Sequence, residues 1–299
     1  MPLTYLPEQP SGALADKLAR TRYVFTDLDG TMLAPGSTVM RDAFGRPSAA
    51  LPCVLADLAA AGIEVVPVSG RNRAMLHEDC RVLGLNSYVG EMGSLIMTDL
   101  KEQVWEYFCA DMDYDPDCGL TPHELIERTG VCQEILDRWP GLIEYQNDMG
   151  TGYKHREVTV GYRGNVPDDE VRDLLARSGL ALDWADNGLV NRISKPTVLD
   201  LPKGTCRSLQ IIPRGLDKGV GLRRYMELRG IDPAEAVSVG DAPSDFLMGR
   251  ETGTFVCMEN GLAHPETARL AEEGENVLVS RGSTVDGWVA AMRSILACK

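Results

Sequence analysis

Tyr23-Val24-Phe25-Thr26-Asp27-Leu28-Asp29-Gly30-Thr31 is the stretch on which the fold turns. Residues 23–25 are apolar and read as a short buried β-strand. The strand runs into two carboxylates one residue apart, Asp27 and Asp29, and then into Gly30. Acids are thereby delivered to the carboxyl end of a strand, where open α/β sheets bind their ligands. Carboxylates this close repel, and a divalent cation that favours hard oxygen ligands, such as Mg²⁺, would stabilise them. A carboxylate not bound to the cation is able to attack a substrate or move a proton. A plain acidic turn accounts for the same residues, so the rest of the chain has to decide.

The strand-then-loop pattern recurs. Residues 63–68 form a second apolar run, closed by Ser69-Gly70-Arg71. Residues 237–239 form another, closed by Gly240-Asp241-Ala242-Pro243-Ser244-Asp245, and Lys218 opens a helical stretch before it. In this order, the four segments resemble the four motifs of the haloacid-dehalogenase superfamily of phosphatases, and they span nearly the whole chain. The resemblance implies a Rossmann-like core with a parallel sheet and a large α/β cap inserted between the second and third motifs.

The residues between the motifs give the same fold class, α/β. Residues 48–61 read as a helix with Leu51, Val54, Leu55 and Leu58 on one face, and 72–83 as a second ending at Gly84. Strands at 254–258 and 276–280 and a closing helix with Val285, Trp288, Val289, Met292 and Leu296 on one stripe complete the rhythm. Such alternation predicts a parallel sheet covered on both faces. From about residue 100 to about 213 the strands turn more polar, at 157–162 and 189–194, around a helix at 168–177. The expected division is a core of 1–98 and 213–299 with a cap of 99–212.

Composition narrows the partners. With 299 residues, 44% hydrophobic and 25% charged, the chain suits one large or two ordinary globular domains. No apolar run is long enough to span a membrane, and residues 1–22, with Pro7, Glu8, Pro10 and Asp16, lack a signal-peptide core. A cytoplasmic location is expected. The eight cysteines are scattered without a Cys-x-x-Cys, which predicts reduced, mostly buried thiols. The net charge of −14 argues against nucleic acid and would also repel a phosphate ester. Local lysine, arginine and metal must overcome that field. The expected partner is a small phosphorylated substrate, bound by a monomer or homodimer.

Roles for individual residues follow from the resemblance. It implies Asp27 as nucleophile, forming an aspartyl-phosphate, and Asp29 as the acid that protonates the leaving oxygen and then activates water. Mg²⁺ is implied between Asp27, the backbone carbonyl of Asp29 and Asp241. Asp245, one helical turn on, binds that metal through water, orients Lys218, or is a helix-start acid. Lys218 is the implied counter-charge, although a lysine in a first helical turn opposes the dipole. Ser69 and the Gly70 N–H are implied donors to a phosphoryl oxygen, while a serine there serves equally as an N-cap. Arg71 faces phosphate or solvent and receives no role. Substrate contacts are expected at Gly70, at Glu91 in the Gly90-Glu91-Met92-Gly93 loop, and at Lys154 and Arg156 in the cap. Many family members carry Glu-Asn-Gly in that loop, and Met92 departs from it. The basic residues Lys154, His155, Arg156, Arg192 and Lys195 grip an anion or balance an acidic surface. Asn260 lines the site or makes a turn with Gly261. Asp111, Asp113, Asp115 and Asp117 read as a solvated acidic turn, because Pro116 stands where a calcium loop needs glycine.

An acid at position 29 favours phosphomonoester hydrolysis or phosphosugar mutation over carbon–halogen cleavage. The Thr26–Thr31 start and the cap position resemble the sugar-phosphatase branch, the mannosyl-3-phosphoglycerate and sucrose-phosphate phosphatases. The expected activity is Mg²⁺-dependent hydrolysis of a sugar or glyceryl-glycoside phosphate. A phosphosugar mutase and a non-catalytic sugar-phosphate-binding regulator are the alternatives.

Overall fold

The computed structural model describes residues 3–146, 155–190 and 196–299. Its strands, in chain order, are β1 (Tyr23–Thr26), β2 (Glu64–Pro67), β3 (Tyr88–Gly90), β4 (Leu95–Asp99), β5 (Val104–Tyr107) and β6 (Ile143–Tyr145). They continue with β7 (Val160–Gly164), β8 (Leu182–Leu189), β9 (Arg207–Pro213), β10 (Ala236–Gly240), β11 (Thr254–Cys257) and β12 (Val277–Val279).

β12-β11-β10-β1-β2 form one sheet in which every pairing is parallel. Its strands are nearly continuous apolar runs because both faces are covered. Successive side chains alternate between those faces. Val24, Val65, Val237 and Val239 pack with Leu51, Leu58 and Trp288 of the helices Ala50–Ala60 and Thr284–Leu296. Phe25 and Val66 pack instead with Leu222, Tyr225 and Met226 of the helix Lys218–Arg229.

Register places the motifs side by side. Thr26 pairs with Pro67 on one flank and with Val239 on the other, so the three strands end level. After β1 the chain crosses to β2 on one side and returns much later as β10 on the other. Asp27 and Asp241 therefore emerge at a switch point, where two connections diverge and leave a crevice.

The remaining strands form two antiparallel sheets. β3-β4-β5 continues from the β2 edge through a parallel bridge between Val68 and Val89. The β4–β5 pair straddles positions 98 and 99, where the first junction of the cap was expected. β6-β7-β9-β8 has its own core of Ile143, Val160, Tyr162, Leu209 and Ile211, covered by helices Pro122–Arg128, Val131–Arg138 and Asp168–Ala176. The strand expected at 157–162 begins only at Val160. The backbone N–H groups of Glu157, Val158 and Thr159 donate to the Glu91 carboxylate instead of to a ladder. β8 escaped the sequence reading because its last four residues are exposed and carry no apolar alternation. Of the strand expected at 189–194, residues 191–194 lie outside the described residues. Among the described residues, no helix is long and apolar enough to cross a membrane. Five of the eight cysteines are buried, and none forms a disulfide.

Candidate active site

The site is organised by one buried lysine. Lys218 Nζ lies 2.8 Å from Asp27 Oδ1 and 2.7 Å from Asp245 Oδ1, and all three side chains are buried. Lys218 is the first residue of its helix, whose N-cap Asp217 accepts from the Val220 N–H at 2.8 Å. A cation is disfavoured at that end of a helix dipole. Two carboxylates in contact offset the penalty, which is why a lysine persists there.

Asp245 carries a second load. Its Oδ2 accepts the backbone N–H groups of Asp241 at 3.0 Å and Ala242 at 2.9 Å. It thus fixes the loop after β10 while orienting Lys218, and of its three expected roles the contacts support the orienting one. Asp241 receives the Thr31 hydroxyl at 3.0 Å and Asn260 Nδ2 at 3.2 Å. Asn260 Nδ2 also donates to the Gly30 carbonyl at 3.0 Å, and its Oδ1 accepts from the Thr284 N–H at 2.8 Å. Gly30 has φ +87°, and any β-carbon there would collide with the Asp241 carboxylate. Asn260 is therefore a brace of the site rather than a simple turn.

Charge in this cluster is unbalanced. Asp27, Asp241 and Asp245 each bring an oxygen within 4.8 Å of the others, while the Lys218 ammonium bonds to Asp27 and Asp245. Burial pushes the Asp27 carboxyl up to about 7 despite the pull of Lys218, and Asp245 and Asp241 add to the rise. Burial and Asp245 push Asp241 up to about 6. Burial works to lower Lys218, but Asp245 and Asp27 outweigh it and hold the ammonium above its ordinary value. A cluster of hard oxygen donors short of positive charge fits a divalent cation such as Mg²⁺.

Asp29 points elsewhere. Its carboxylate takes the Arg71 fork, with Nε–Oδ2 2.9 Å and Nη2–Oδ1 2.7 Å, and the Ser37 hydroxyl at 2.6 Å. Arg71 is itself anchored to Asp79 at 2.6 Å. Burial works to raise Asp29, but Arg71 and Ser37 outweigh it and hold the group below the usual carboxylate range. Sequence reading gave Arg71 no role. A cation directly after the Ser-Gly loop was the available signal, but its reach to Asp29, 42 positions away, was not legible.

Ser69 is buried at the end of β2, and its Oγ accepts the Arg71 N–H at 3.3 Å. It does not cap the next helix. Asn72 does, accepting the Met75 N–H at 3.0 Å ahead of Arg73–Leu83. At Gly70 the cap comes close, since a β-carbon would stand 3.2 Å from Asn187 Nδ2 and 3.6 Å from Gln210 Nε2.

Two side chains expected to contact substrate are held by protein partners. Glu91 was expected to touch substrate, but it is wholly buried and its carboxylate is filled by four donors from residues 157–159. Arg156 is buried too, donating to Thr159 Oγ1 at 2.9 Å and Gln146 Oε1 at 3.1 Å. Lys154, Arg192 and Lys195 lie outside the described residues. His155 is exposed and lines, with Arg73, His77, His123, Arg156 and Glu157, a cavity of about 1040 Å³ that includes none of the Asp27–Lys218 cluster. Asp111, Asp113, Asp115 and Asp117 are all exposed, as an acidic turn should be.

Known proteins are similar to this chain. The haloacid dehalogenase-like hydrolase family profile matches residues 195–271, the segment holding Lys218, Asp241 and Asp245. The phosphoglycolate phosphatase of Methanospirillum hungatei is 26% identical over 245 residues, covering 80% of this chain and 84% of the relative. Over that segment and along most of its length, the chain is similar to haloacid dehalogenase-like hydrolases. This hydrolase is a phosphatase by the same relatives. The Escherichia coli 5-amino-6-(5-phospho-D-ribitylamino)uracil phosphatase is 26% identical over 266 residues, covering 85% of the hydrolase and 91% of the relative. The hydrolase shares its fold with the Synechocystis sucrose-phosphatase, with TM-score 0.57 and 16% identity over 92% of this chain and 98% of that one.

Proposed function

We propose that this phosphatase is a Mg²⁺-dependent phosphomonoester hydrolase acting on a small sugar, polyol or hydroxy-acid phosphate. The observation that carries the proposal is the buried Asp27–Lys218–Asp245 chain beside Asp241, at the carboxyl ends of β1 and β10. Asp27 attacks phosphorus while Lys218 and the Ser69 hydroxyl neutralise the phosphoryl oxygens. The phosphorus–oxygen bond to the leaving group breaks, Asp29, once turned from Arg71 and protonated, supplies the proton to that oxygen, and Asp27 is left as an acyl phosphate. Asp29, now ionised, takes a proton from water, which attacks phosphorus and releases phosphate and free Asp27. The Asp27 and Asp241 carboxylates and the Asp29 carbonyl would hold Mg²⁺, which supplies charge neutralisation to the transferring phosphoryl group. Residues 1–98 and 213–299 act as catalytic core and 99–212 as cap, in a cytoplasmic monomer or homodimer.

The substrate range follows the relatives named above, which are named for phosphoglycolate, a phosphoribitylamino compound and sucrose. Those relatives are phosphatases, which supports hydrolysis over phosphosugar mutation. Phosphate release from 2-phosphoglycolate and a panel of sugar and polyol phosphates, with Mg²⁺ and with chelator, tests the reading. Mg²⁺-dependent release is expected from at least one of them. Release from none, or release indifferent to chelator, overturns it.

Two further results are expected. Replacing Arg71 with Ala frees Asp29, whose carboxyl then moves up toward its ordinary value. The low-pH limb of the kcat profile should shift to higher pH, and kcat should fall by about tenfold or more. An unchanged profile contradicts this role for Arg71.

The second concerns stability without metal. Asp27 and Asp241 have raised folded values, so the folded chain binds protons that the unfolded chain releases. Their contribution is present below the unfolded value of 3.8 and is lost as pH rises through about 6 and about 7. In chelator, the melting temperature should fall across that window, and Mg²⁺ should restore most of it at the alkaline end. Equal Mg²⁺ effects at both ends of the window would contradict the cluster as the cation site.

A further inference from the structure

We infer that Glu91 is a positioning residue that clamps the cap to the loop bearing Ser69 and Gly70. Its buried carboxylate accepts the Glu157 N–H at 2.8 Å on Oε1. Oε2 accepts the Val158 N–H at 3.1 Å, the Thr159 N–H at 2.8 Å and the Thr159 hydroxyl at 2.9 Å. Three successive amides converging on one anion make a nest, and these charge-assisted bonds offset the cost of burying the charge.

The other end of the clamp is the catalytic loop. The Glu91 N–H donates to the Arg71 carbonyl at 3.0 Å and the Met92 N–H to the Ser69 carbonyl at 3.2 Å. Glu91 and Met92 have φ +47° and +64°. Residues other than glycine adopt that region at a cost and hold it where surrounding contacts over-determine the backbone. Gly90 and Gly93 flank the pair, so the positive φ is held at Glu91, whose side chain reaches the cap, and at Met92.

The cap side is held as firmly. The Glu157 carboxylate receives Arg73 Nε at 2.7 Å and the Tyr107 hydroxyl at 2.6 Å. The Thr159 carbonyl meets His123 Nδ1 at 2.7 Å, and the Thr159 hydroxyl receives Arg156 at 2.9 Å. Residues 157–159 run into β7, which pairs with β9, the strand of Gln210. Gln210 and Asn187 are the amides that approach Gly70. A shift of the clamp therefore moves the wall beside the phosphoryl site, and the Glu91 carboxylate itself bonds to residues 157–159 rather than to Asp27, Lys218 or Asp241.

Glu91→Gln keeps the volume but turns one acceptor into a donor facing an N–H. Hydrogen exchange at the amides of Glu157, Val158 and Thr159 should accelerate by about tenfold or more, with no change in β1. The catalytic consequence rests on the phosphatase reading. For the best substrate of the panel, kcat/KM should fall by about tenfold, while p-nitrophenyl phosphate, whose flat leaving group makes fewer cap contacts, loses at most about threefold. Exchange at 157–159 that is unaltered, or that rises together with β1, overturns the clamp, as does an equal loss on both substrates. The exchange of the wild-type protein decides the matter if the variant fails to fold: amides of 157–159 as unprotected as exposed loops would overturn it. A wild type that hydrolyses nothing would sink the phosphatase reading alone, because the exchange measurement needs no turnover.

Discussion

Asp27→Asn is expected to lower kcat by about four orders of magnitude or more, because no other group replaces the attacking carboxylate. The same variant should fold. Asp27 is one of three acids around a single ammonium, and Lys218 keeps its 2.7 Å contact with Asp245 when Asp27 is neutral. Removing a charge from an overcrowded cluster relieves repulsion, so the melting temperature in chelator should stay level or rise. Loss of activity with retained stability is the signature of a nucleophile. Parallel loss of both would mark Asp27 as merely structural. Thermal melts and kcat on one preparation check the two halves together.

Lys218→Met should damage both properties. The buried carboxylates of Asp27 and Asp245 then lose their shared partner, and breaking such a pair costs about 3–5 kcal/mol. Part of that cost is avoidable at low pH, because burial pushes Asp27 up to about 7 and Asp241 up to about 6 even with Lys218 present, and its loss raises both further. Denaturant unfolding should therefore show a large loss at the alkaline side of those values and a small one on the acid side. Activity should fall by about a thousandfold, as the transferring phosphoryl group loses its fixed cation. Equal destabilisation at both pH values would contradict the charge imbalance described here.

The core was legible because its elements are locally consistent. Residues 23–26, 64–67 and 236–240 are mostly apolar stretches buried over most of their length, and each ends in a polar loop that cannot continue a strand. That made Asp27, Ser69 and Asp241 readable as strand-end residues. Lys218 was readable through its resemblance to the family's third motif, and a lysine in a first helical turn, locally unfavourable, hinted at a partner. Long-range partnerships were less legible. Arg71 reaches Asp29 across 42 positions and Asn260 reaches Gly30 across 230. Neither pairing leaves a periodic trace. Glu91 misled for the same reason. A carboxylate in a glycine-flanked loop looks available to a ligand, and its saturation by the backbone of residues 157–159 exists only in three dimensions. The cap strands were blurred because one face of an antiparallel sheet meets solvent, as the exposed half of β8 does.

The most direct test of the account is acid-quenched peptide mass analysis after mixing the Mg²⁺-loaded enzyme with a hydrolysed phosphomonoester. Phosphoryl mass is expected on the peptide containing Asp27, within residues 23–31, and none in Asp27→Asn. Turnover with no label there, or label on any other residue, would contradict it.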